Sequence, residues 1–407
     1  MNCRFCNTPL SDVFVDLGMS PLSNGYLRPD QLGDPEVFFP LVVRVCSECF
    51  LVQLPEYEAP DVIFDDYHYF SSYSDSWLAH AKRYVEAVSP RFGIDSNSMV
   101  VEIASNDGYL LQYFAEAGVP VLGVEPADTV AAAAIAKGIP TRIEFFGEEL
   151  ATRLVAEGNR ADLVIGNNVL AHVPDLNDFV AGVRVLLAPT GVATFEFPHL
   201  MHLVDRLEFD TIYHEHFSYF SFLTVQRIFA SHGLTLFDVD ELPSHGGSLR
   251  IYARHDNDAS QPVLPAVDAL LSRERSAGFD SMEAYRGFQP RVDAAKRDLL
   301  TFLIEAKNEG KSVVGYGAPA KGNTLLNYCG VRADLLQYTV DRNPHKQGTF
   351  LPGTHIPVYG PEHIAETRPD YVLILPWNLK DEIVEQLAGV AEWGGRFVIP
   401  LPEVEVL

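Results

Sequence analysis

Residues 99–109 read Met-Val-Val-Glu-Ile-Ala-Ser-Asn-Asp-Gly-Tyr, an apolar run that ends in a small polar turn and passes into a helical pattern through Ala117. A buried strand that hands over to a helix reaches its next parallel neighbour only through a crossover. The pattern recurs. Residues 121–126, 162–168 and 191–197 are further buried strands, and a helix from about Asp175 to Ala188 joins the last two. Such alternation predicts an α/β fold with a parallel, doubly wound, Rossmann-like sheet. Residues 236–241 and 248–254 alternate with period two and predict an antiparallel hairpin that closes it.

A second unit of the same kind follows a helical connector at residues 258–310. Residues 312–324 spell a strand, a glycine-rich loop with Gly315, Gly317 and Gly322, and a helix. Further strands are expected around residues 338–341, 371–375 and 396–399. The predicted divisions are residues 1–70, 71–257, 258–310 and 311–407, the last a Rossmann-like domain.

Residues 1–70 carry Cys3-x-x-Cys6 and Cys46-x-x-Cys49, separated by a loop containing proline and glycine. Two such turns offer four thiolates to one ion and leave no open position, which predicts a structural zinc ribbon. Cys329 stands alone and is expected in the core. The balance of 30 basic against 55 acidic residues, a formal charge of -25, repels phosphate backbones and anionic lipid, so neither nucleic acid nor membrane is an expected partner. The N-terminus has no signal-peptide pattern and no apolar segment is long enough to span a bilayer, which predicts a cytoplasmic protein.

The turn after the first strand discriminates between nucleotide cofactors. A dinucleotide turn wants Gly-x-Gly-x-x-Gly, whereas residues 104–108 supply one glycine and an acid that repels a pyrophosphate. That acid suits a ligand with an ammonium and a sulfonium. The spacing from Glu102 to Gly108, with the later Glu125, resembles motifs I and II of class I methyltransferases. On this reading Glu125 grips a ribose, Glu102, Ala104, Asn106, Asp107 and Gly108 form the loop for the methionine part, Phe146 lies beside the adenine, and Asn167 and Asn168 line the mouth of the site.

Residues 211–222 concentrate phenols, imidazoles, a carboxylate and hydroxyls without helical or strand periodicity. They read as an active site. Tyr67, Tyr69 and Ser71 offer hydroxyls to a sugar or phosphate, His245 precedes two glycines that permit close backbone approach, and Lys321 with a helix N-terminus suits a diphosphate.

Together, the four-cysteine ribbon, Tyr-His-Glu-His-Phe-Ser-Tyr-Phe-Ser, His-Gly-Gly-Ser and Gly-Tyr-Gly-Ala-Pro-Ala-Lys-Gly-Asn resemble the nucleotide-sugar C-methyltransferases of deoxysugar and antibiotic biosynthesis. The resemblance covers nearly the whole chain. It implies structural zinc, S-adenosylmethionine (SAM) on the middle domain, a C-terminal domain that is not used for NAD, and a dTDP-4-keto-6-deoxysugar substrate. The substrate set is then Tyr67, Tyr69, Ser71, His245, Tyr316, Lys321 and Asn323, and the catalytic set is Tyr213, Glu215 and His216. A carbon beside a ketone becomes a nucleophile only when its proton is removed, and an imidazole with an ordinary pKa of about 6.5 is poised to do that. His216 is assigned as base, Glu215 as its tuning partner and Tyr213 as donor to the enolate oxygen, with C-3 as the expected methylation site. An NAD-dependent sugar-nucleotide oxidoreductase and an O- or N-methyltransferase are the competing readings. The three-part chain is long enough to enclose its substrate as a monomer.

Overall fold

A computed structural model describes residues 1–57 and 70–407. Tyr67 and Tyr69 lie outside the described residues, as does the side chain of His245. The chain forms two compact units, each assembled from three separate segments.

The first unit comprises Met1–Leu10, Cys46–His199 and Phe217–Met282. Its sheet orders seven strands as Leu234–Leu242, Ser248–His255, Leu187–Pro198, Ala161–Asn167, Val100–Ile103, Val121–Val124 and Thr141–Arg142. The five strands from Leu187–Pro198 to Thr141–Arg142 run parallel and the expected hairpin closes the other edge antiparallel. Val100–Ile103 is buried on both faces, as a strand covered on both sides by helices must be. One cover is the Asp75–Phe92 helix, which starts at Ser74, whose hydroxyl accepts from Trp77 N, and stops at left-handed Gly93. It buries Ala81, Tyr84, Val85 and Val88 at helical spacing against Phe114, Phe237 and Tyr252. Each large apolar side chain so buried contributes about 1.5–3 kcal/mol. No described helix is long and apolar enough to cross a membrane.

The second unit comprises Ser11–Val45, Leu200–His216 and Glu283–Leu407. Its sheet orders Val358–Tyr359, Thr339–Val340, Val313–Tyr316, Tyr371–Ile374, Arg396–Ile399 and Glu405–Val406, parallel except for the last strand. The stretch between the cysteine pairs, expected as a loop, contains two long strands, Asp12–Ser20 and Phe39–Val45, paired antiparallel. Two register irregularities, between Val13 and Val15 and between Asp16 and Met19, break the alternation that would have marked the first of them.

The helical connector is present as Pro265–Ser276, Glu283–Arg286 and Phe288–Asn308. The division between the units falls inside it, after Met282.

Candidate active site

The four cysteine sulfurs lie within 4.8 Å of one another, with Cys3 and Cys49 at 3.5 Å and Cys6 and Cys46 at 3.5 Å. Tetrahedral sulfurs at about 2.3 Å from zinc stand about 3.8 Å apart, so the cluster fits that ion. Both turns close alike. Asn7 and Phe50, each directly after the second cysteine of its pair, take φ of 61° and 62° and donate their N–H to the carbonyls of Cys3 and Cys46. Gln53 donates to the Cys3 sulfur at 3.2 Å and accepts from Arg4 N, fixing that thiolate from a second layer. Cys329 is buried in the second unit, and burial, against the opposing charge of Lys296, pushes its thiol up to about 12.

At the carboxyl end of Val100–Ile103, three alternate residues leave the ordinary backbone regions: Ala104, Asn106 and Gly108 have φ of 57°, 50° and 75°. Such a run of left-handed residues is where glycines would be placed for backbone approach to a ligand, and two of the three are not glycine. Glu125, at the end of the next strand, holds the loop: Oε2 accepts from Asn106 N at 3.0 Å and Oε1 from Ala127 N at 2.9 Å. Burial raises its pKa against those two amides. A carboxylate has about four acceptor positions, so lone pairs remain for a ribose hydroxyl. Ala104 is the half-exposed member of the loop, while Asn106 and Glu125 are nearly enclosed.

Glu102 is fully buried beneath the loop, and burial pushes its carboxyl well above the usual range against the Tyr109 hydroxyl. Asp107 is half committed: Lys137 Nζ at 2.9 Å and the Ser72 hydroxyl meet Oδ2, while Oδ1 is buried without a hydrogen-bond partner. Ser71 meets the loop through its backbone, its N–H donating to Asn106 Oδ1 at 2.9 Å. Asn167 ends its strand beside the Tyr109 hydroxyl, Asn168 follows with φ 54°, and Phe146 packs edge-on against Phe179 at 5.3 Å. His172, on the short turn after these asparagines, is a titratable ring at the same sheet edge that the sequence reading did not single out.

The catalytic-looking run belongs to the second unit up to His216. A turn from Tyr213 O to His216 N at 2.9 Å brings the two rings to 4.0 Å between centroids at 34°. His216 Nδ1 lies 2.9 Å from the Thr211 carbonyl. The Thr211 contact orients the imidazole. Glu215 Oε1 accepts from Asn24 Nδ2 at 2.7 Å, and burial, against Asn24 and Lys346, pushes its carboxyl up to about 7. His214 is an anchor, 4 % exposed, with Nε2 at 3.3 Å from Pro40 O; burial lowers its pKa. Asn24 and Lys346 escaped the sequence reading, for nothing in their local pattern distinguishes them from ordinary loop residues.

Two expected substrate residues are buried and make internal hydrogen bonds. Tyr316 is packed in the core of the second sheet, with its hydroxyl donating to Gln386 Oε1 at 3.1 Å. Asn323 is 1 % exposed and its amide donates to Ser23 O at 2.6 Å, pinning the loop that carries Asn24. Lys321 sits 4.2 Å over the Trp377 ring and donates to Asn378 Oδ1. Burial lowers its pKa against the nearby Asp210 and Glu208.

Three domain families match consecutive stretches of the chain: a zinc binding domain at residues 3–64, a methyltransferase domain at residues 77–239 and a C-methyltransferase C-terminal domain at residues 243–402. The C-methyltransferase NovU of Streptomyces niveus is 38% identical over 405 residues, spanning 100% of this chain and 96% of that protein. Among solved structures, the PH0226 protein of Pyrococcus horikoshii matches 50% of this chain and 99% of its own, at 15% identity and a TM-score of 0.36. An S-adenosylmethionine dependent methyltransferase of Mesorhizobium loti matches 44% and 100%, at 15% identity and a TM-score of 0.34. With a full-length relative at this identity and all three domains matched in order, the chain belongs to the C-methyltransferase family and is a SAM-dependent enzyme with a zinc-binding N-terminal domain.

Proposed function

We propose that this enzyme methylates a dTDP-4-keto-6-deoxysugar at C-3, the carbon beside the ketone, in deoxysugar and antibiotic biosynthesis. The observation that carries the mechanism is the contact between His216 Nδ1 and the Thr211 carbonyl. A carbonyl oxygen only accepts, so Nδ1 holds the proton and Nε2 of the neutral ring keeps its lone pair. His216 Nε2 removes the C-3 hydrogen, and the phenol of Tyr213, whose ring lies tilted against that of His216, donates to the oxygen as the enolate forms. Asn24 positions Glu215 and burial raises its carboxyl to about 7, so near neutrality it is present both as donor and as acceptor toward the sugar. When bound, SAM supplies an electrophilic sulfonium methyl. Glu125 would hold its ribose, the left-handed turn at Ala104, Asn106 and Gly108 its methionine portion, and Phe146, Asn167 and Asn168 its base and rim.

The test separates carbon deprotonation from methyl transfer. With the ketosugar in deuterated water and no methyl donor, the wild-type enzyme should exchange the hydrogen next to the ketone. His216→Asn should abolish that exchange and reduce turnover by about 10²–10⁴ while S-adenosylhomocysteine binding is retained. Turnover within a few-fold of wild type would end the assignment of His216 as base.

A further inference from the structure

A cavity of about 240 Å³ opens in the first unit between the Asp75–Phe92 helix and the hairpin of Leu234–Leu242 and Ser248–His255. None of its lining residues has been assigned a role in catalysis or in holding the cofactor or substrate above. The chain carries a formal charge of -25, yet this cavity gathers Arg83, Arg91, Arg250 and His80 against one acid, Asp240.

The helix spacing explains how the cations converge. Residues 80, 83, 84, 87 and 91 share one face, with Arg83 and Arg91 one turn either side of Ala87 and about 12 Å apart along the axis. Ala87 leaves space at the midpoint, within reach of both long side chains.

Two of the guanidiniums are pre-set on aromatic rings. Arg250 lies 4.5 Å over Tyr84 and Arg91 4.4 Å over Tyr252. Each also meets a carboxylate through one nitrogen, Arg250 with Glu196 and Arg91 with Asp238, both at 2.6 Å. A guanidinium has five N–H donors, so both keep edges for another acceptor. Arg250 is 6 % exposed and its Nε–H is buried without a hydrogen-bond partner. Arg83 is exposed and makes no ion pair with any described residue. Asp240, the opposing acid, already accepts from the Tyr252 hydroxyl at 2.6 Å.

We propose that this cavity is a binding site for a phosphoryl anion, a phosphate or diphosphate group seated over Ala87 between Arg83, Arg91 and Arg250. Planar, ring-stacked guanidiniums match the paired oxygens of such a group better than a single lysine would. The group has two sources, the diphosphate of a nucleotide-linked substrate or free phosphate acting as an effector. The second source makes no use of the sugar chemistry proposed above.

Inorganic pyrophosphate, titrated calorimetrically into the full-length enzyme, is the probe. Wild type should bind it, and Arg83→Ser and Ala87→Glu should each weaken binding by about ten-fold or more, the loss of one charge-assisted contact or the gain of an opposing charge. Both changes are on the exposed side of the helix, so S-adenosylhomocysteine affinity should be unchanged and will report an intact fold. Absence of binding to wild type, or undiminished binding to either variant, overturns the proposal. Thymidine diphosphate distinguishes the sources: affinity that falls in parallel with pyrophosphate assigns the site to the substrate, and affinity that does not assigns it to free phosphate.

Discussion

The two units contain the same local device, a strand, a tight loop and a helix, with an acid at the end of the next strand, and they use it differently. In the first, Glu125 accepts from Asn106 N in the loop and from Ala127 N two residues beyond itself. In the second, Asp341 accepts from Ala318 N in the loop at 2.7 Å and from Asn343 N two residues beyond itself at 2.8 Å. The second loop is filled by the protein. A Cβ on Gly317 would stand 2.5 Å from Pro376 Cδ, and the Ala318 carbonyl accepts from both the Tyr26 hydroxyl and Lys346. The first loop instead stores left-handed backbone at Ala104 and Asn106, which costs about 1–2 kcal/mol per such residue. Strain retained at one loop and packing completed at the other distinguish a cradle from a structural corner, although the backbone plan is shared.

Four substitutions sharpen or break this contrast. The largest effect is expected from Glu125→Gln, which should weaken S-adenosylhomocysteine by about 10–100-fold, the worth of hydrogen bonds to a charged group. Asp341→Asn should leave that affinity alone and lower only the melting temperature. Equal effects on ligand affinity would erase the distinction.

Next comes pH. Near the second loop, burial reinforced by Asp210 pushes the Glu208 carboxyl up to about 7 against Arg206 and Lys321, and burial pushes Asp210 up to about 6. The folded state therefore keeps protons that the unfolded chain releases from about pH 4.5 upward, and stability falls as pH rises from there through 7. Glu208→Gln should remove about 3 kcal/mol of that loss, so its melting temperature should gain on wild type between pH 5 and pH 8. A gap that does not change with pH would place the proton elsewhere. The smallest effect is Ala104→Gly, which relaxes a left-handed alanine and should stabilise by about 0.5–1 kcal/mol in thermal melts.

The sequence made the scaffold of both units legible because parallel strands buried on both faces are short continuous apolar runs, as at Val121–Val124 and Tyr371–Ile374. The cysteine pairs were equally plain, since their spacing is itself the geometry of the site. What the sequence concealed is long range. Asn24 meets Glu215 across 191 positions, and no local pattern marks it. The glycine-rich loop misled for a related reason: Gly317 and Gly322 serve close packing against Pro376 and Leu375, and a glycine that admits a proline ring spells the same as one that admits a phosphate. Tyr316 and Asn323, expected as ligand contacts from the family resemblance, each donate an internal hydrogen bond, to Gln386 Oε1 and to Ser23 O.

The segmented construction of the units has a consequence for biosynthesis of the chain. The first unit has all of its residues once translation passes Met282, whereas the second must wait for the C-terminal segment with Ser11–Val45 and Leu200–His216 already emerged. Aromatic side chains from those early segments, Phe14 and Phe209, find their ring partners Phe288 and Tyr328 only in the segment translated after Met282. Until then they are sticky surface. A nascent chain stalled between these points is the form most exposed to aggregation and most in need of a chaperone, and no single truncation can yield the second unit alone.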